Sequence, residues 1–220
     1  MISKDDDGIL IRFSVGIGYT ISDAEKAVLL AKNSKNKNHL YNIRTLEENK
    51  IRTKLDTKLP IVKSYYKLQS YLEKNNPNLL SDLDNFKYDK KTGLLNRVGY
   101  IIELNKSYIS KKRCVIFLDA DYMHEINEKH GYKFVDKYLN ESAKELQKNI
   151  RQKHIKKRVD ILFYINDVFF HRKNDSAEDE FVIDLDYNQE NLDFAKKIAK
   201  RYLENIYSAQ KRLSKKLKLF

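Results

Sequence analysis

The chain has 220 residues, a length that fits one domain plus an added element or two small domains. Hydrophobic residues make up 41%, with 15 Tyr and 10 Phe, so a real core is expected, and 2 Pro and 6 Gly argue against long structureless linkers. A formal charge of +12 points to a polyanionic ligand, a nucleic acid or an anionic surface, and a lone cysteine excludes both an intramolecular disulfide and a cysteine zinc cluster. There is no apolar run long enough to span a bilayer, and "MISKDDDGIL" does not read as a signal peptide, so a soluble cytoplasmic protein without membrane insertion is expected.

In chain order, "ILIRFSVGIGY" (Ile9 to Tyr19) is β-rich, and its two glycines mark a bend or a close backbone approach. "SDAEKAVLLAKNSKNKN" reads as a helix, with Ser22 as N-cap and Glu25 completing a capping box. "HLYNI" is a candidate short strand. Residues 44–85 are charged and helical in pattern, interrupted at Pro60 and at "NNPN", and read as a helical connector. "DKKTGLLNRVGYIIELNKSYI" is a turn followed by a helix.

Next comes "CVIFLDADY", Cys114 to Tyr122, an apolar strand that ends on two acids. An unpaired buried carboxylate is costly, so such acids call for a metal, a ligand or a helix to cap. Cys114 reads as a small core residue. One helix is expected over roughly Tyr122 to Gln152. Two β-rich runs flank a polar, acidic centre in "VDILFYINDVFFHRKNDSAEDEFVIDLDY", the pattern of a hairpin with a long tip. The last helix places Phe194, Ile198, Tyr202, Ile206, Ala209, Leu213 and Leu217 at helical spacing, with lysines on its other faces.

Three of these stretches, in order, resemble the GGDEF family of diguanylate cyclases. "DKKTGLLNR" (Asp89 to Arg97) resembles the family's D-x-L-T-G-L-x-N-R turn. "FLDADYMHEINEKHGYKFVDKYL" resembles its F-x-D-x-D-x-F-K-x-I-N-D-x-x-G-H-x-x-G-D-x-x-L segment, and "AEDEF" (Ala177 to Phe181) stands where the family has its signature hairpin. The resemblance spans roughly residues 86–186. It implies an α/β palm, or ferredoxin-like, fold: a mainly antiparallel central sheet covered by helices. It also implies a nucleotide cyclase or nucleotidyltransferase that uses magnesium or manganese, with GTP ahead of ATP as substrate, and a homodimer as the working unit. Hard oxygen donors suit such metals.

By the same resemblance, Asp119, the carbonyl of Ala120 and Asp179 are metal ligands, and Asp179 and Glu180 are the catalytic acids. Asn127 and Asp136 stand at the guanine-reading positions. Lys32 matches a phosphate-binding lysine, with Lys35 or Lys37 to assist. His124 occupies the place of a phosphate-facing lysine. The chain departs from the family where Ala177 and Glu178 replace the hairpin glycines, where Val135 replaces a further glycine, and where "HRKNDS" lengthens the hairpin. A second reading therefore stands beside the first: a domain that binds nucleotide or a protein partner as a regulator, without catalysis. A third, motivated by the charge, is a nucleic-acid-binding palm domain.

The order of the pieces is itself informative. The strand–helix–strand that closes the family's domain is missing after the last helix, and a similar set, "FSVGIG", "DAEKAVLLAKNSKNKN" and "HLY", stands at the N-terminal side. The expectation is a circular permutation in which residues 1–43 complete a palm domain formed mainly by residues 86–220, with residues 44–85 joining the old ends. The short spacing between "SVGIG" and "DAEKAVLLAK" resembles the palm domain of CRISPR-associated polymerases. The alternative is that residues 1–43 are the tail of a preceding domain.

Overall fold

The computed structural model describes residues 11–33, 40–42, 60–104, 113–150, 160–166, 179–186 and 193–217. In chain order the elements are β1 (Phe13–Gly18), α1 (Ile21–Asn33), β2 (Leu40–Asn42), α2 (Pro60–Asn75), a single 3-10 turn (Pro77–Leu79), α3 (Leu80–Asn85), α4 (Arg97–Leu104), β3 (Arg113–Ala120), α5 (Met123–His130), α6 (Tyr132–Asn149), β4 (Ile161–Asn166), β5 (Asp179–Asp186) and α7 (Asp193–Leu217).

The strands form one sheet in the order β2-β1-β3-β5-β4. Its four strands β1, β3, β5 and β4 pair antiparallel, and β2 joins β1 parallel at the edge. Alternation along β3 divides the core between the two faces of the sheet. Ile116 and Leu118, with Phe181 and Ile183 of β5, face α5, α6 and α7 through Ile126, Leu139 and Ile206. Val115 and Phe117, with Val182 and Phe163, face α1 and α4 through Ala24, Val28 and Tyr100. Burial on both faces explains why "CVIFL" is unbroken by polar residues, and Cys114 is a core residue as expected.

The glycines of β1 act by close approach. A Cβ on Gly16 would lie 2.0 Å from the Ala24 carbonyl, and one on Gly18 would lie 2.6 Å from Asp23 Cβ, so α1 lies directly against the strand. The cap of α1 is Thr20 rather than Ser22. The Asp23 amide donates to Thr20 Oγ1 (3.1 Å), that hydroxyl donates to Asp23 Oδ2 (2.8 Å), and the Ala24 amide donates to the Thr20 carbonyl (3.1 Å). This is a side-chain cap two residues earlier than expected, with Asp23 held by the capping hydroxyl. The single helix expected over 122–152 is two, α5 and α6, separated at Gly131, whose φ of +79° suits a residue without Cβ.

The turn Asp89–Arg97 is held by its own side chains. Asp89 Oδ1 accepts from the amides of Lys91 (3.1 Å) and Thr92 (2.8 Å) and from Thr92 Oγ1 (2.8 Å). Gly93 takes φ +68°, and Asn96 caps α4 by accepting from the Gly99 amide (2.9 Å). The Tyr164 amide donates to the Leu95 carbonyl (2.8 Å), tying the turn to β4. The residues that make this stretch recognisable as a motif are thus mostly those that shape the turn.

The last helix secures the start of β1. Gln210, fully buried, accepts from the Ile11 amide (3.0 Å) and donates to Ser142 Oγ (3.1 Å) of α6, and the Phe13 amide donates to the Tyr207 hydroxyl (3.2 Å). Ile198, Tyr202, Ile206 and Ala209 of the expected apolar stripe are buried, while Phe194 is exposed.

At the far end of the sheet, Arg113 Nε donates to Asp184 Oδ1 (2.9 Å), and the Tyr100 hydroxyl donates to the other carboxylate oxygen (2.8 Å). Arg113 is 4% and Asp184 1% exposed, which makes this a buried ion pair. Asp184→Ala removes one charge and strands the other, so it is expected to cost about 3–5 kcal/mol of stability. Urea unfolding followed by circular dichroism would measure this.

Candidate functional site

β3 ends at Ala120 and leads into α5 through Asp121 and Tyr122. Tyr122 takes φ 60°, the one non-glycine residue with positive φ among the described residues. Such strain, worth of order 1–3 kcal/mol, is typical of backbone shaped for a site.

Asp119 lies directly opposite Glu180 of β5 and Ser14 of β1 in the ladder. Directly opposed residues of antiparallel strands share a face with Cβ atoms about 5 Å apart, so Asp119 and Glu180 project to the face covered by α1 and α4. Glu180 is buried, and the Asp119 side chain is 19% exposed. Lys32, in the last turn of α1, places Nζ 2.7 Å from Asp119 Oδ2.

Asp121 has a different neighbourhood. Its Oδ1 accepts from Ser14 Oγ (2.7 Å), and its amide donates to the Arg12 carbonyl (2.8 Å). Burial pushes the Tyr207 hydroxyl above the usual phenol range, with the Asp121 charge adding to the effect, so this hydroxyl stays protonated beside the junction. Asp121 therefore braces the passage from strand to helix. Ser14 escaped the sequence reading. Only the register between β1 and β3, which pairs residues more than a hundred apart, brings it to Asp121.

The other expected site residues are distributed as follows. Ala120 ends β3, opposite Phe13. Asp179 opens β5, opposite Asn166; its side chain lies outside the described residues, as do Ala177, Glu178, the "HRKNDS" stretch, Lys35 and Lys37. Asn127, on α5, has its Oδ1 buried without a hydrogen-bond partner among the described residues, a cost that a donor on a ligand would relieve. Asp136, on α6, is ion-paired by Lys91 of the turn, Nζ to Oδ1 2.9 Å. His124 is exposed on α5, its Nε2 3.2 Å from Glu128 one turn on.

Among the described residues, no three His, Cys, Asp or Glu side chains gather into a metal-holding group. The pair Asp119 and Glu180 supplies two hard carboxylates at one strand end, and an ammonium already sits on Asp119. That donor set suits Mg2+ or Mn2+ in its chemistry. Among the described residues, no helix is long and apolar enough to cross a membrane.

The mainly antiparallel sheet, with helices on both faces and acids at the end of its central strand, makes an α/β arrangement consistent with a palm-type domain. The sequence pattern of the family described as diguanylate cyclase, GGDEF domain, matches residues 79–161. That span holds the turn, α4, β3, α5 and α6, and stops at the first residue of β4. No curated protein and no solved structure matches the chain.

Lys32 lowers the electrostatic cost of setting two acids opposite each other. Lys32→Met is expected to reduce stability at neutral pH by up to about 1 kcal/mol, since the pair is partly exposed. Replacing Asp119 by Asn in the same background should recover most of that loss, and a double-mutant cycle of thermal melts would read the coupling.

Proposed function

We propose that this chain is a palm-type domain that binds a nucleoside triphosphate with a divalent metal at the Asp119 end of the sheet, and joins nucleotides there. The reaction would be attack of a 3′-hydroxyl on an α-phosphorus with release of pyrophosphate, giving a cyclic or linear product. The observation that carries this reading is the cross-strand pair of Asp119 and Glu180, half of it inside the span that matches the GGDEF domain. GTP is the substrate implied by that match, with ATP second.

The metal would be held by Asp119, the Ala120 carbonyl and Asp179, with Glu180 beside them, and when bound it would offset charge between phosphates and orient them. Asp179 and Glu180 are the acids assigned to catalysis. Lys32 compensates Asp119 when the site is empty and is placed to turn to a phosphate. Asn127 and Asp136 would read the base, and His124, on the exposed face of α5, would contribute only at its edge. A homodimer would present two nucleotides to each other.

A second reading, nucleotide binding without turnover, is favoured by one specific feature: both Asp119 and Asp136 are already ion-paired to lysines of the chain itself. Incubation with all four triphosphates and magnesium or manganese, followed by chromatography, separates the two readings by the presence or absence of a joined product. Asp119→Asn is expected to weaken magnesium-dependent triphosphate binding tenfold or more by calorimetry, roughly 1.4 kcal/mol, with the fold retained. Equal binding by wild type and variant at matched magnesium would overturn the assignment.

We also infer that residues 1–43 and 86–220 make one circularly permuted domain, with 44–85 as the joining segment and a likeness to the palm of CRISPR-associated polymerases. The reading is supported by the position of β1 between β3 and β2, and by the hydrogen bonds from Ile11 and Phe13 to α7. Removing residues 1–43 would expose the edge of β3 and the apolar faces beside it. The 44–220 fragment is expected to aggregate or to lose cooperative unfolding. A monomeric fragment with a sharp thermal transition would count against the permutation.

A further inference from the structure

The family's turn reads D-x-L-T-G-L-x-N-R, and here the residue before the Thr-Gly is Lys91 where that pattern has leucine. Lys91 does not point away into solvent. Its Nζ is 2.9 Å from Asp136 Oδ1, with the two side chains 31% and 43% exposed. Both of its backbone polar groups are held: the amide donates to Asp89 Oδ1 (3.1 Å) and the carbonyl accepts from Asn140 Nδ2 (3.1 Å). The pair lies on the wall of a cavity of about 550 Å³ between the turn, α6 and Leu213 of α7, within the size range of small-molecule sites. Asn127 does not line that cavity.

We propose that Lys91 is a specificity-determining residue that narrows the preference for guanine over adenine at the base-reading end of the site. The proposal rests on the nucleotide-binding reading above, in which Asp136 meets the base. A free carboxylate accepts two parallel N–H bonds, from N1 and the N2 amine of guanine. An ammonium on Oδ1 occupies one lone-pair direction of that oxygen and neutralises part of the carboxylate's charge, so guanine meets a weakened and partly obstructed fork unless it displaces Lys91. Adenine has no N1–H to offer and presents N1 as an acceptor, which an ammonium at this place can serve. The turn fixes the backbone from which the ammonium reaches Asp136. Sites that hydrogen-bond a substrate N–H discriminate strongly against analogues lacking it; Lys91 weakens that discrimination at its source.

The test compares the full-length wild type, Lys91→Leu, Asp136→Asn and the double variant, with affinities for GTP, ITP and ATP measured by calorimetry in magnesium. Leucine keeps the backbone hydrogen bonds of Lys91, and thermal melts check that each variant folds; Lys91→Gln replaces Lys91→Leu if the latter does not. In the wild type, GTP and ITP, which differ by the N2 amine, are expected to bind within about threefold of each other, since a carboxylate already shared gains little from a second N–H. Lys91→Leu is expected to raise the GTP-to-ATP affinity ratio about fivefold, the upper end for release of a partly exposed ion pair, and to widen the gap between GTP and ITP. The gain should vanish in the double variant. An unchanged ratio in Lys91→Leu, or a gain that persists without Asp136, would overturn the role of Lys91 while leaving nucleotide binding intact. Failure of all four proteins to bind any triphosphate would instead overturn the nucleotide-binding reading, and with it the ground on which the proposal stands.

Discussion

β3 is buried on both of its faces, and that burial dictates how the other elements are arranged around it. Its residues Cys114 to Leu118 are all but fully buried, so every backbone group along it must be paired within the sheet and both faces must be covered. β5 supplies one ladder and β1 the other. The helices divide accordingly, with α1 and α4 on one face and α5, α6 and α7 on the other. A strand enclosed in this way can bring polar side chains to bear only where it leaves the core. Here that is the Asp119 to Asp121 end, where the chain also takes its strained turn at Tyr122.

Three of the acids around the site are met by groups of the chain itself, and the partners come from distant parts of the sequence. Lys32 of α1 reaches Asp119, Ser14 of β1 reaches Asp121, and Lys91 of the turn reaches Asp136. The first and last are partly exposed pairs and therefore cheap to exchange, in the range of about 1 kcal/mol or less. The Arg113–Asp184 pair at the opposite end of the sheet is of another kind. It is almost wholly buried and braced by the Tyr100 hydroxyl, whose ring stacks on Phe163 with centroids 4.0 Å apart. One end of the sheet is thus fixed by charges that cannot be separated without large cost, and the other carries charges that a ligand can rearrange.

Much of the architecture was legible because hydrophobic period and local turn chemistry are properties of short stretches. The apolar run of β3, the paired runs of β4 and β5, the helical stripe of α7, the close-approach glycines of β1 and the turn at Asp89 follow from neighbours a few residues apart. Where the reading missed, two equally good local signals competed. Thr20 and Ser22 both offer a cap with an acid three residues on, and the packing of Gly16 and Gly18 against α1 starts the helix at the first. Gly131 sits within a pattern that is helical on both sides, and its positive φ breaks it in two.

Most strands and the last helix, and the acids that stand at the end of the buried strand, could be read from the chain alone, since they follow from side-chain period and from the cost of an apolar surface in water. What those acids touch is set by packing between distant segments. The register of β1 on β3 brings Ser14 to Asp121, the packing of α1 brings Lys32 to Asp119, and the bond from Leu95 to β4 fixes the turn from which Lys91 meets Asp136. Each of these is a contact across tens of residues or more, set by how the elements fit together, and no local pattern in the chain encodes it.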